Sequence, residues 1–138
     1  MALSALENGI IKPRDTFRCK GKIELHGEKF HCWEKKGHGI VNLRKGIQRS
    51  CDVYFYEVAR KLGVDRLSVT AKKFGLGKKV LSDFTEERSG VVPNTKWKKK
   101  FIGQNWYIGE TLHSGIGQGY FQSTPLQLCL MTAQIANG

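Results

Sequence analysis

The sequence predicts a mainly helical fold with long irregular segments and little or no sheet of its own. Three observations carry this expectation. Residues 51–62, 66–74 and 124–135 repeat apolar side chains at helical spacing, each behind a starting or capping residue. Residues 15–39 show no helical period and are punctuated by Gly21, Gly27, Gly37 and Gly39. At 138 residues and 40% apolar composition, the chain fits one domain, 1–138, with a modest core.

Residues 2–8 read as a short helix closed at Asn8-Gly9, where glycine suits a left-handed cap. Ile10 to Pro13 should be extended, as a residue before proline tends to be. Within 15–39, Lys22-Ile23-Glu24-Leu25 can pair as one strand of a small hairpin. Leu43–Arg49 is a short helix. Cys51–Leu62 is a longer one with Val58, Ala59 and Leu62 on one face, and Gly63 ends it. Ser50, just ahead of that pattern, suits an N-cap, because its oxygen can accept from a free backbone N–H. Asp65 caps Arg66–Phe74, which Gly75 stops. Residues 76–94 carry turn chemistry, Thr95–Phe101 forms a short basic helix, and Trp106–Leu112 is expected to be extended. Thr124-Pro125 is a strong helix start. The helix that follows has Leu126, Leu128, Leu130, Met131 and Ile135 on most sides, so burial is expected.

The net charge of +11 suits an anionic partner such as nucleic acid, an anionic membrane surface or an acidic polymer. The lysines are scattered rather than gathered in a nucleic-acid motif, so nucleic acid is not expected. No apolar run approaches membrane-spanning length, and the N-terminus does not read as a signal peptide. Gly115-x-Gly117-x-Gly119 lacks the spacing and the strand-turn-helix context of a dinucleotide fingerprint.

Cys19, Cys32, His38 and Cys51 form a candidate zinc set of three thiols and an imidazole. Their spacing is not a tight knuckle. Three of the four, however, lie in the irregular segment 15–39, which otherwise has no means of ordering itself. The competing reading is a Cys19–Cys32 disulfide, worth about 3 kcal/mol by chain entropy. Structural zinc in small domains contributes an apparent ~10–16 kcal/mol. A disulfide also leaves Cys51 and His38 without a role; free thiols are the third reading. His31 is the reserve ligand, and Cys129 is expected to be a buried thiol of the last helix.

Ser50-Cys51-Asp52-Val53-Tyr54-Phe55-Tyr56 resembles the second active-site motif, Ser-x-Asn or Ser-x-Asp, of penicillin-binding transpeptidases. Phe74-Gly75-Leu76-Gly77, Glu87-Arg88-Ser89-Gly90, and Ile116-Gly117-Gln118-Gly119 running into Thr124-Pro125-Leu126-Gln127 agree in order and spacing. The resemblance covers essentially the whole chain and is nearest the cell-elongation class, penicillin-binding protein two. It implies the helical lobe of a penicillin-binding/β-lactamase-like fold. It also implies that Ser50 and Asp52 are site residues of the parent, relaying protons and holding substrate. Gly115, Gly117, Gln118 and Gly119 would shape the site wall. Trp106 and Tyr107 are either substrate-facing parts of that wall or core aromatics. Some members of the class hold zinc with mixed Asp, His and Cys ligands, which supports the metal reading.

The family's Ser-x-x-Lys is not found: Ser4, Ser50, Ser68, Ser82, Ser89, Ser114 and Ser123 all lack Lys three residues on. Lys-Ser/Thr-Gly is not found either. The chain is therefore expected to be an internal piece between those motifs and inert by itself. For the parent, the resemblance implies peptidoglycan stem peptides and β-lactams as ligands and the cell-elongation machinery as partner. It places the parent on the periplasmic side of the inner membrane. The alternative is a non-catalytic, zinc-stapled module binding a protein or an anionic polymer. Exposed apolar surface on such a lobe favours a homo-oligomer.

Overall fold

The structure is a computed structural model and describes residues 1–81 and 85–138. Ser82, and with it part of the expected turn region 76–94, lies outside the described residues. The chain is mainly helical, as the sequence predicts, with two small antiparallel ribbons inserted near its N-terminal end.

A first helix, α1 (Ala2–Glu7), leads into the segment that lacks a helical period. That segment orders itself as four short strands: β1 (Thr16–Cys19), β2 (Lys22–Leu25), β3 (Glu28–His31) and β4 (Gly39–Asn42). β2 and β3 form the expected hairpin, joined by His26 and Gly27 at φ 49° and 84°, the left-handed pair of a type I′ turn. β1 pairs with β4, Cys19 standing opposite Gly39 and Phe17 opposite Val41. The β1–β4 pairing encloses the hairpin in sequence, so a stretch that looks shapeless becomes two nested ribbons.

Helices follow. Asn42 caps α2 (Leu43–Gln48) by accepting from the Lys45 N–H at 3.0 Å. α3 (Asp52–Leu62) is the centre of the fold and buries Val53, Tyr54, Tyr56, Val58, Ala59 and Leu62. It packs on α1, α2, β1, α4 (Val64–Lys73) and, most extensively, α6 (Ile108–Gly115). The α3–α6 contact needs Gly115: a Cβ there would lie 2.5 Å from that of Ala59. Leu112 of α6 is completely buried in this core, where truncation of a leucine costs about 2–5 kcal/mol.

Several expectations are corrected. Tyr107 is extended, but residues 108–112 are helical rather than extended. α6 starts at Ile108, because Glu110 reaches back to accept the Tyr107 N–H at 2.8 Å and so supplies a start signal. Asp65 is not a cap but lies in the first turn of α4; its carboxylate accepts from the Thr95 N–H and hydroxyl at 3.0 Å, tying α4 to α5 (Thr95–Phe101). α7 (Pro125–Asn137) starts where predicted, through a reciprocal Thr124–Gln127 capping box, but it is not buried. Leu126, Leu128 and Ile135 are exposed, and so is the Cys129 thiol. What anchors α7 is polar. The fully buried Gln127 donates to the carbonyls of Lys78 and Ser89 at 2.7 and 2.8 Å. Buried Glu87 likewise accepts from the N–H groups of Val80 and Leu81, both at 2.8 Å. Among the described residues no helix is long and apolar enough to cross a membrane.

Candidate metal centre and the Ser50 turn

The four candidate ligands come from the ends of four elements and meet at one point. Cys19 ends β1, Cys32 follows β3, His38 precedes β4 and Cys51 immediately precedes α3. Their donor atoms all lie within 4.8 Å of one another. His38 Nδ1 is 3.5 Å from the Cys32 sulfur and 3.7 Å from that of Cys19. A thiolate and an imidazole sharing a tetrahedral zinc stand about 3.5 Å apart, given bond lengths of about 2.3 and 2.0 Å. The residues therefore fit a closed four-ligand site. The three thiols are buried and free of disulfide bonds, and all three converge on His38, which a Cys19–Cys32 disulfide would not require. His31 is not part of the cluster; it contributes its carbonyl to the Tyr56 hydroxyl at 3.2 Å.

Local backbone geometry makes this convergence possible. Gly37 has φ 80°, and a Cβ on it would lie 2.3 Å from the Cys19 carbonyl oxygen, so only glycine lets the loop carry His38 back across β1. The site also sits against the start of α3. Backbone N–H groups of Glu34, Val53 and Asp52 favour a Cys32 thiolate, and that of Tyr54 favours a Cys51 thiolate. Burial outweighs them: it pushes the Cys51 thiol up to about 12 and raises Cys32 as well. Without a cation these two thiols stay neutral at ordinary pH; a divalent ion would replace their protons.

Ser50 stands beside this centre but is not the N-cap the sequence suggests. Cys51 holds that position, and Ser50 adopts φ 47°, left-handed and uncommon for a serine. Its exposed side chain opens on a cleft of about 540 Å³ shared with Trp33, Glu34, His38, Gln48 and Arg49. Asp52 Oδ2 accepts the backbone N–H of Trp33 at 3.0 Å, leaving Oδ1 as its other acceptor. Trp33 is the residue sequence reading passed over; its adjacency to Cys32 was the available signal.

The remaining candidates do not share that cleft. Trp106, half-buried, and Tyr107, 63% exposed, line a separate cleft of about 570 Å³ with His26, Glu28, Glu110 and His113. Gly115 and Gly117 border an apolar groove of about 720 Å³ with Leu67, Phe74, Leu128 and Met131. Gln118 and Gly119 follow α6, the Gln118 N–H donating to the His113 carbonyl at 2.9 Å.

A helical lobe that presents a Ser-x-Asp turn at the start of its central helix defines the class, and the comparison with known families places the chain within it. The chain belongs to the penicillin-binding transpeptidases: the family model described as "Penicillin binding protein transpeptidase domain" matches residues 1–138. Several of its relatives fall in a narrower group. The chain is 42% identical over 141 residues to the peptidoglycan D,D-transpeptidase MrdA of Salmonella typhimurium, covering 100% of this chain and 23% of that protein. The structure of Pseudomonas aeruginosa PBP2 in complex with WCK 5153 superposes with a TM-score of 0.94 at 45% identity, over 99% of this chain and 31% of that one. PBP2 of Helicobacter pylori, solved in complex with MreC, superposes with a TM-score of 0.87 at 42% identity, over 92% of this chain and 24% of that one. The chain thus spans about a quarter of the length of the curated relative it matches.

Proposed function

We propose that this chain is the helical part of a peptidoglycan D,D-transpeptidase of the cell-elongation class, acting on stem peptides at the periplasmic face of the inner membrane. The observation that carries this reading is the Ser50 turn, a Ser-x-Asp at the start of a buried helix in a lobe that matches PBP2 at a TM-score of 0.94. In the reaction of the whole enzyme a serine nucleophile attacks the donor peptide and is acylated. The Ser50 hydroxyl, exposed on its cleft, would pass a proton near that nucleophile. Asp52 Oδ1 would accept from a neighbouring ammonium. No serine of this chain has the Ser-x-x-Lys context, so the chain alone is inert. Trp106, Tyr107, Gly115, Gly117, Gln118 and Gly119 belong to the walls of the larger site. β-Lactams, as acylating mimics, are the corresponding ligands, and an MreC-like component of the elongation machinery is the corresponding partner, in keeping with the MreC complex of PBP2 from Helicobacter pylori.

We propose zinc as the resident metal, held by Cys19, Cys32, His38 and Cys51. These four residues would leave no open position, so the ion would supply structural chemistry, with the ligands joining the β1–β4 ribbon and the hairpin to the start of α3.

The test is a chimera in which this chain replaces the matching segment of Pseudomonas aeruginosa PBP2. The chimera should be labelled by a fluorescent penicillin, and Ser50→Ala should slow that labelling by about 10²-fold or more, the range of a lost proton-transfer group. The chain alone should remain unlabelled. Labelling of the isolated chain, or a chimera indifferent to Ser50→Ala, would refute the reading.

A further inference from the structure

Ser50 holds a backbone conformation that a serine does not choose by itself, so something must hold it there. Covalent continuity with Cys51 is one restraint. The structure adds a second, from a residue outside the metal set. Trp33 donates its indole Nε1–H to two carbonyls at once, those of Arg49 and Ser50, each at 3.0 Å. Its backbone N–H is taken by Asp52 Oδ2 at 3.0 Å. Its ring stands edge-on to that of His38, with centroids 5.2 Å apart. One side chain therefore spans the peptide units on both sides of Ser50, while its own main chain is fastened to the motif's carboxylate.

The carbonyls it engages belong to the end of α2 and the turn that follows, where no helical N–H is left to receive them. A single donor shared between successive carbonyls aligns those two peptide units. That alignment restricts ψ of Arg49 and both torsions of Ser50. The hydroxyl of Ser50 is then aimed by the indole, while the bonds from Ser50 N–H to the Ile47 carbonyl (3.2 Å) and from Cys51 N–H to the Gly46 carbonyl (2.9 Å) close the turn from the other side.

We propose that Trp33 is the positioning residue of the Ser-x-Asp motif, setting where the Ser50 hydroxyl points by clamping the peptides on either side of it. This rests on the proposed role of Ser50 for its catalytic consequence, though not for its structural content. Trp33→Phe keeps the ring against His38 and deletes the indole donor.

The first measurement is made on this chain, loaded with zinc, by amide hydrogen exchange. In Trp33→Phe the Ser50 and Cys51 amides should exchange about tenfold faster, the worth of one net hydrogen bond, while those of Val58 and Ala59 keep their rates. Zinc content should not change. Equal exchange at Ser50 and Cys51 in both proteins overturns the proposal; so does loss of zinc from Trp33→Phe, which would make Trp33 a support of the metal loop. Should the variant not fold, the unmodified chain decides. Its Trp33 indole N–H and Ser50 amide should share one protection factor, and an indole that exchanges freely beside a protected Ser50 amide overturns the proposal.

The second measurement uses the chimera. Trp33→Phe should lower the acylation rate constant for a penicillin about tenfold and leave the preceding non-covalent binding constant unchanged, since the clamp acts on the reacting geometry. A parallel loss in binding, or no change in acylation, counts against it. A chimera that is never labelled overturns the transpeptidase reading alone, because the exchange measurement does not depend on it.

Discussion

Lys98 is 1% exposed and ion-paired with Glu110, on a short helix whose other lysines, Lys96, Lys99 and Lys100, face solvent. Its ammonium lies 4.6 Å from the Tyr107 ring centroid and 5.8 Å from that of Tyr120. Glu110 also accepts from the Tyr120 hydroxyl at 3.2 Å and from the Tyr107 N–H at 2.8 Å. One carboxylate thus joins α5, the start of α6 and the segment after Gly119.

Lys98 is buried, but the Glu110 side chain is 22% exposed and keeps the Tyr107 and Tyr120 donors when Lys98 is removed. Lys98→Ala should therefore destabilise the chain by about 2–3 kcal/mol, through lost packing and a partly compensated carboxylate. The double variant Lys98→Met, Glu110→Gln should lose markedly less, because volume is kept and no charge is stranded. Urea unfolding of the three proteins decides it; a single variant within about 1 kcal/mol of the parent would show the pair to be dispensable.

Protein purified without chelator should carry about one zinc per chain, and Cys51→Ala should release it, whereas His31→Ala should not. Because the thiols must give up their protons, binding weakens as pH falls. Burial holds Cys51 near 12 and Cys32 above its usual value, so both are protonated in the metal-free form across the neutral range. Capture should release at least the protons of Cys32 and Cys51, and chelator competition between about pH 6 and 8 should give a steep loss of affinity on the acid side. An affinity flat across that range, or a melting curve unmoved by chelator, would remove zinc from the account.

Gly37→Ala should disrupt the metal loop outright, since its Cβ would meet the Cys19 carbonyl at 2.3 Å with φ at 80°. Gly117→Ala is the control. That residue has φ 77° but open space around its Cβ position, so it should lose only the cost of a left-handed alanine, about 1–2 kcal/mol. Thermal melts and zinc content separate the two. Equal effects would mean that backbone strain, not the close approach at Cys19, limits position 37.

Much of the candidate site was legible from residue type alone. Thiols and an imidazole within an otherwise unordered stretch name their own chemistry, and Cys19, Cys32, His38 and Cys51 do converge. Ser50 and Asp52 were legible only as a pattern. Nothing in their spacing says that Ser50 is left-handed, or that Asp52 gives one oxygen to Trp33, because both facts depend on a loop seventeen or more residues away folding back on them.

The limits of sequence reading follow one physical line. Local chemistry by itself determined the helices at 51–62 and 95–101, the cap at Thr124 and the β2–β3 hairpin, because each is decided by interactions within a few residues. Tertiary structure decided the rest. The apolar pattern after Pro125 says that the helix gains by burial, but whether a covering surface reaches Leu126, Leu128 and Ile135 depends on the packing of distant elements. Lys98 shows the converse: a lysine in a basic run reads as solvated, and only the approach of Glu110, Tyr107 and Tyr120 makes it cheaper to bury than to expose. Sequence states what each residue requires; the arrangement of the whole chain decides which requirements are met, and by which neighbours.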